Sequence, residues 1–406
     1  MTAISSNLLA QISSIQSRAL TVGVILVLGG LLYAFATGAM SGFYQAYLVG
    51  YMICAGIALV CMAFIMLHHL IGGRWGFVIQ RLLEAGMSTL PVLLVLFIPI
   101  VLGMHDLYHW THAEVVAVDP ILQHKESYLN VPFFLVRTVF YFAIWIAASS
   151  LLIKWSIAQD TSGDPRLNDK MRNICGPGVV VFALSMTFAS FDWIMSTDPH
   201  WFSTLYGVMM IVNAGGATLS FVVIMMTWLR KHEPISELAD ADRFHDWGKL
   251  LLAFTLLWFY MMLSQFLIIW AANLPEENPW YVHRVHGGWE VLSVVLVLCR
   301  FVIAFFLLLS IPRKRDPRRL VRVAWFILVM HLVDIFWHVA PNFRLDGFSV
   351  SVMDVMVPVG LFGIWFFFVL NRLKRYPLIP QKDPRFEELV ASVTKAAVSK
   401  TSASKA

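Results

Sequence analysis

The chain has 406 residues, of which 59% are hydrophobic and only 14% charged. Soluble domains are about 45–50% apolar and about 25% charged, so this composition excludes an ordinary water-soluble fold and calls for lipid as the solvent. The formal net charge of +5 does not point to nucleic acid, because the cations lie between apolar runs on alternate loops, as membrane insertion requires.

The first apolar run, 19–36, follows a polar leader, 1–18, and reads as a retained helix rather than a cleaved signal. Nine more follow at 44–67, 86–104, 131–155, 174–197, 201–229, 249–272, 287–311, 319–340 and 351–372. A spanning helix needs about 20 mostly apolar residues at 1.5 Å rise each, so the pattern predicts an all-α membrane protein of about ten transmembrane helices. The cysteines, Cys54, Cys61, Cys175 and Cys299, all sit inside apolar runs and form no C-x-x-C pair. That pattern argues against an iron–sulfur cluster, a structural zinc or an attached c-type haem held by this chain.

Lysine and arginine predict the orientation. Of the 30, 25 lie in the leader, in the loops after the second, fourth, sixth and eighth runs, and in the tail. Only Lys125, Arg284 and Arg344 lie on the opposite face, and Arg137 and Arg300 fall within runs. Both termini are therefore expected in the cytoplasm. Two longer segments on the Lys/Arg-poor face, 105–130 and 273–286, are rich in Pro, His and aromatics and read as ordered caps. The Lys-, Ser- and Ala-rich end of the tail, 381–406, lacks an apolar pattern and reads as mobile or partner-ordered.

A tandem repeat is suggested by two helix ends. The fifth run ends in D-W-I-M-S-T-D-P (Asp192–Pro199) and the ninth in D-I-F-W-H-V-A-P (Asp334–Pro341). Each places an Asp seven residues before a Pro, on helices four apart that cross in the same direction, as duplication of a four-helix unit would give. The expected organisation is a leader, 1–18, a membrane domain, 19–372, with bundles at 44–197 and 201–340, and a tail, 373–406.

Ionisable groups at membrane depth cost several kcal/mol unless paired or hydrated. Counted from Leu320 at 1.5 Å per residue, His331, Asp334 and His338 lie about 16, 21 and 27 Å along the ninth helix. Spacings of three and four keep them on one face, so they form a ladder of groups able to exchange protons; hydrogen-bonded packing at a helix end is the alternative. Asp192, at the matching position of the fifth helix, and Asp354, at the start of the tenth, are further proton-path candidates, and Glu290 begins the eighth. Arg137 and Arg300 are the expected ion-pair partners of these carboxylates. The segment M-H-D-L-Y-H-W-T-H carries His105, Asp106, His109 and His112. If helical, it sets the three histidines near one face, either as an interfacial belt contacting a partner or a quinone headgroup or, less in keeping with its aromatic content, as a metal site. Haem b needs paired histidines on two helices at matched depth, and no second run matches the ninth.

Four stretches carry a family resemblance: L-N-V-P-F-F-L-V-R (129–137), S-F-D-W-I-M-S-T-D-P-H-W-F-S-T-L-Y-G (190–207), S-Q-F-L-I-I-W-A-A-N-L-P-E-E-N-P-W-Y (264–281) and H-L-V-D-I-F-W (331–337). Over roughly 40–375 the chain resembles the NrfD-like, ActF-type membrane subunits of bacterial alternative complex III. The resemblance implies two four-helix bundles (helices 2–5 and 6–9) flanked by helices 1 and 10, in a bacterial inner membrane. It implies a complex that oxidises quinol or menaquinol and reduces a cytochrome c or similar acceptor, sometimes alongside a terminal oxidase. The haem c and iron–sulfur clusters then belong to partner subunits, among them c-type cytochromes, an iron–sulfur subunit and a paralogous NrfD-like subunit, while this chain binds no cofactor and no metal. The resemblance places Asp192, His331 and Asp334 at positions proposed to form a proton path. It leaves quinol binding, proton conduction and scaffolding as roles for this chain. A pure membrane anchor has no need of buried acids and histidines. A stand-alone transporter would show Gly or Pro breaks at corresponding places in both halves, and Gly176-Pro177 and Gly215-Gly216 do not correspond.

Overall fold

The computed structural model describes residues 4–383, and all regular structure among them is helical. Ten helices among the described residues are long and apolar enough to cross a membrane: α1 Ser6–Thr37, α2 Met40–Ile71, α3 Gln80–Leu102, α4 Val131–Ser162, α5 Arg166–Thr197, α6 Tyr206–Leu229, α7 Ala241–Ala272, α8 Trp289–Leu309, α9 Pro317–Asn342 and α10 Met353–Leu373. The chain is thus a multi-pass, all-helical membrane protein.

Local chemistry sets the ends. The Asn130 and Asp240 side chains accept from the N–H groups of Phe133 and Arg243, each at 2.9 Å, and start α4 and α7. Asp316 does the same for α9, with Pro317 behind it in the first turn. α1 and α4 stop at Gly38 and Gly163, whose φ of 69° and 65° lie in the left-handed region. α3 is broken into Gln80–Met87, Leu90–Leu96 and Ile98–Leu102, with Pro91 and Pro99 each opening a new piece. α8 holds a π-helical stretch, Leu296–Ile303.

Several expected boundaries shift. The leader is not a separate segment, since from Ser6 its residues form the first turns of α1. α5 and α7 begin eight residues earlier than their apolar runs, because charged residues continue a helix beyond the bilayer. The tail is described as far as Asp383. Its remainder, 384–406, lies outside the described residues. Residues 374–383 turn back onto the helices and bury Leu378, Ile379 and Asp383.

Neighbour relations repeat between halves. α2 touches α3 and α5, and α4 touches α3 and α5. In the same order α6 touches α7 and α9, and α8 touches α7 and α9. The halves meet where α2 and α5 pack on α6, and α2 on α9. α2 is buried along its whole apolar length and α6 along most of it. α1 lies outside, held against α10 through backbone-to-backbone approach: a Cβ on Gly23 would stand 2.7 Å from the Gly360 carbonyl oxygen. Small residues at such a crossing allow the close van der Waals packing that drives association in lipid.

Candidate functional site

Two buried arginine–aspartate pairs occupy corresponding helices of the two halves. In the first, Arg137 in the second turn of α4 meets Asp192 near the end of α5. Its Nε and Nη2 donate to Asp192 Oδ2 and Oδ1, both at 2.9 Å, and the Tyr141 hydroxyl donates to Oδ2 at 2.8 Å. Arg137 Nη1 donates to the Tyr128 carbonyl at 2.9 Å, and the guanidinium lies 3.8 Å from the Tyr128 ring centre. Both carboxylate oxygens are therefore engaged, in the bidentate geometry that makes such pairs strong. The surroundings are aromatic: Trp193 and Trp145 are buried beside the pair and give their indole N–H groups to Thr138 and Ser185.

The second pair is more open. Arg300 lies in the π-helical stretch of α8, with Nη1 3.4 Å from Asp334 Oδ2 on α9. The same oxygen accepts from Asn213 Nδ2 of α6 and from Trp258 Nε1 of α7, the latter at 3.2 Å. Asn213 Oδ1 in turn accepts from Arg300 Nη2 and lies 2.7 Å from His331 Nδ1. All four helices of the half meet here. An amide oxygen only accepts, so His331 carries its proton on Nδ1, and in the neutral ring Nε2 is a lone-pair acceptor.

The difference between the pairs lies in what is left over. Asp334 Oδ1, His331 Nε2 and both ring nitrogens of His338 are buried and hydrogen-bond to no group among the described residues. His338 Nε2 stands 4.0 Å from Asp334 Oδ1, beyond hydrogen-bond reach but short enough for small movements to close. Buried polar atoms without partners are rare and ask for an explanation such as water or a transferring proton. On helix α9 they run in one column, i to i+3 to i+7, from the mid-span towards the Lys/Arg-poor face.

Arg284 closes the outer end of this column. It is fully buried, donates to the carbonyls of Trp280 and His338 at 2.7 and 2.9 Å and to Asn342 Oδ1 at 2.8 Å, and stacks 3.5 Å from the Trp280 ring centre. Burial lowers its pKa to about 9, so it remains a cation at neutral pH. Asn342 Nδ2 continues the network to Thr197 Oγ1 at the end of α5, tying the two halves together.

The remaining expected residues are placed apart. Asp354 caps the start of α10: it pairs with both Nη atoms of Arg344 at 2.9 and 2.7 Å and accepts the Ser351 N–H at 2.7 Å. Glu290 pairs with neither Arg137 nor Arg300; it is exposed and accepts the Gly288 N–H at 2.8 Å, because α8 begins at the surface. The histidine segment is not one helix. Tyr108 is extended and splits it, so the three-and-four spacing is lost: the His105 and His112 rings lie 5.2 Å apart, and His112 Nε2 is 2.8 Å from the His105 carbonyl oxygen. His105, Asp106 and His109 are exposed. Among the described residues no group of three or more His, Cys, Asp or Glu side chains is placed to hold a metal ion.

Sequence reasoning missed Asn213, Trp258, Tyr141, the buried Arg81 and Glu84, and the half-buried Asp160. Asn213 had a legible signal, a lone amide within a long apolar run. Arg81 and Glu84 had none, because they precede the apolar run of α3 and read as loop charges. An apolar cleft of about 340 Å³ also opens between α7 and α8, walled by Trp258, Phe259, Leu298 and Trp337. No protein-family model matches the chain, and no curated protein matches it.

Proposed function

We propose that this chain is an NrfD-like, ActF-type membrane subunit of an alternative complex III, with cytoplasmic termini, and that it conducts protons for a quinol-oxidising complex. The observation that carries the proton role is the α9 column. Desolvated Asp and His side chains with free acceptor and donor atoms are what a relay needs, each stop lying one turn from the next. Asp334 is the central carrier, with His331 on its inner side and His338 on its outer side. Arg300 and Asn213 hold one Asp334 oxygen in place and leave Oδ1 to exchange the proton. Arg284 sets a fixed positive charge beyond His338.

Asp192 takes a different role in this reading. With two arginine nitrogens and a tyrosine hydroxyl on its carboxylate, it locks α4 to α5 and serves the fold. We assign quinol oxidation itself, and the haems and clusters it requires, to partner subunits. Headgroup recognition needs polar groups aimed into a cavity, and the α7–α8 cleft is walled almost wholly by hydrocarbon.

Two measurements test this. Mild-detergent purification from native membranes is expected to bring down subunits carrying several c-type haems; a haem-free preparation overturns the assignment to the complex. Asp334→Asn, which keeps the shape and removes the titratable group, is expected to leave the complex assembled and cut quinol-dependent turnover or proton release severalfold. Wild-type turnover and proton release in an assembled Asp334→Asn complex would leave scaffolding as the function.

A further inference from the structure

A row of exposed residues runs along the Lys/Arg-rich end of α9. Arg318, Arg322, Trp325 and Val329 succeed one another at spacings of four, three and four residues, which keeps them on one side of the helix. The opposite side carries His331, Asp334 and His338 into the bundle. All four residues of the row are exposed, Trp325 by 51% and Val329 by 55%. At 1.5 Å per residue, Trp325 stands about 10 Å and Val329 about 16 Å along the axis from Arg318. Charge, indole and aliphatic side chain thus follow in the order in which one leaflet presents phosphate, interface and acyl chain.

The cations at this end of α7, α8 and α9 are of two kinds. Arg315 pairs with Asp242, Arg319 Nε lies 3.1 Å from Asp316 Oδ2, Arg243 Nη1 lies 3.4 Å from Asp246 Oδ2 and Lys249 Nζ lies 2.7 Å from Asp246 Oδ1. Arg313 turns to the Leu307 carbonyl at 3.2 Å, and Lys314 is buried against Gly248. Arg318 and Arg322 are the exposed remainder, and neither meets a carboxylate among the described residues. Arg322 Nε donates to the Arg318 carbonyl at 3.2 Å. That bond bends the Arg322 side chain back towards the start of the helix, as a cation below the membrane surface does to reach the headgroups, and leaves its two Nη groups to a partner from outside the chain.

We propose that this row is the binding site of one acidic phospholipid of the phosphatidylglycerol type, with its phosphodiester between the Arg318 and Arg322 guanidinium groups and an acyl chain along Trp325 and Val329. Two guanidinium forks match the oxygens of a phosphate, and their unanswered charge favours a lipid with net negative charge over a zwitterionic one, whose own cation they repel. A soluble acidic molecule answers the arginines alone and offers nothing to Trp325 and Val329. The bound lipid steadies the Lys/Arg-rich end of the helix that carries Asp334, but the site stands whether or not that helix conducts protons.

Native mass spectrometry of the purified full chain, titrated in mild detergent with phosphatidylglycerol or with phosphatidylcholine, tests this. The unaltered chain is expected to retain phosphatidylglycerol at severalfold lower lipid concentration than phosphatidylcholine. Arg318→Ala combined with Arg322→Ala is expected to abolish that preference, and Arg315→Ala combined with Arg319→Ala, which removes two paired arginines from the same face, to keep it. Equal retention of the two lipids by the unaltered chain overturns the site, as does equal loss in both double variants, which would make the preference a property of the whole basic face. Inorganic phosphate in large excess is expected to leave the lipid in place; its displacement would make the arginines a plain anion site and overturn the role of Trp325 and Val329. A photoreactive side chain placed at position 329 in native membranes is expected to attach to lipid, and attachment to a protein instead would overturn the site and make the row a seat for a partner subunit.

Discussion

The two arginine–aspartate pairs occupy equivalent helices and have unlike chemistry. Arg137 grips both oxygens of Asp192, whereas Arg300 brings only Nη1 to Asp334, 3.4 Å from one oxygen, while that nitrogen donates to the Met330 carbonyl and Nη2 donates to Asn213. A saturated buried pair fixes geometry, and a half-saturated carboxylate keeps an atom for exchange. Breaking a buried pair by removing one partner costs about 3–5 kcal/mol, because the other charge stays buried. Arg137→Leu is therefore expected to lower the thermal midpoint in detergent strongly. Adding Asp192→Leu, which removes the stranded charge, should recover most of the loss. A double variant no more stable than Arg137→Leu would mean that Asp192 does more than answer Arg137. The residue types of both pairs are plain in the sequence, as is the likeness of Asp192 and Asp334. Their unlike hydrogen bonding is not, since Tyr141, Asn213 and Trp258 arrive from other helices.

At the scale of elements, caps and breaks have local signals in the sequence, although apolar runs alone did not place them. Asn130-Val131-Pro132, Asp240 and Asp316-Pro317 announce helix starts by local chemistry alone, and Gly38 and Gly163 announce stops. Charged extensions such as those of α5 and α7 have no such signal, since hydropathy marks where a helix meets lipid and not where it ends. Nor has the pairing of α1 with α10, which are about 340 residues apart in sequence and recognise each other through absent side chains. A Cβ on Gly360 would meet the Gly23 oxygen at 2.8 Å, and one on Gly363 would meet the Ala19 oxygen at 2.8 Å. Gly360→Leu is expected to detach α1, exposing its residues to protease in detergent, while α2–α9 keep their core. Protection of α1 equal to that of the unaltered chain would show that this crossing does not hold it.

For the whole molecule, the Lys and Arg asymmetry predicts that reporter fusions after Arg243 and Arg319 read as cytoplasmic and that fusions at Lys125 and Glu277 read as outer; opposite readings at two of these sites would overturn the orientation. By itself the sequence determined the number of spans, the helical class and the residues too polar for their depth. These follow from lipid thickness, helical rise and the cost of charge in hydrocarbon, which act on each segment alone. Only the tertiary structure decided which arginine meets which aspartate, that Asp354 and Glu290 serve helix ends, and that Glu84 lies buried beneath the returning segment after α10. Those outcomes depend on contacts between residues distant in sequence, where a carboxylate is the same letter whether it is saturated by three donors, left with one free oxygen or turned to solvent.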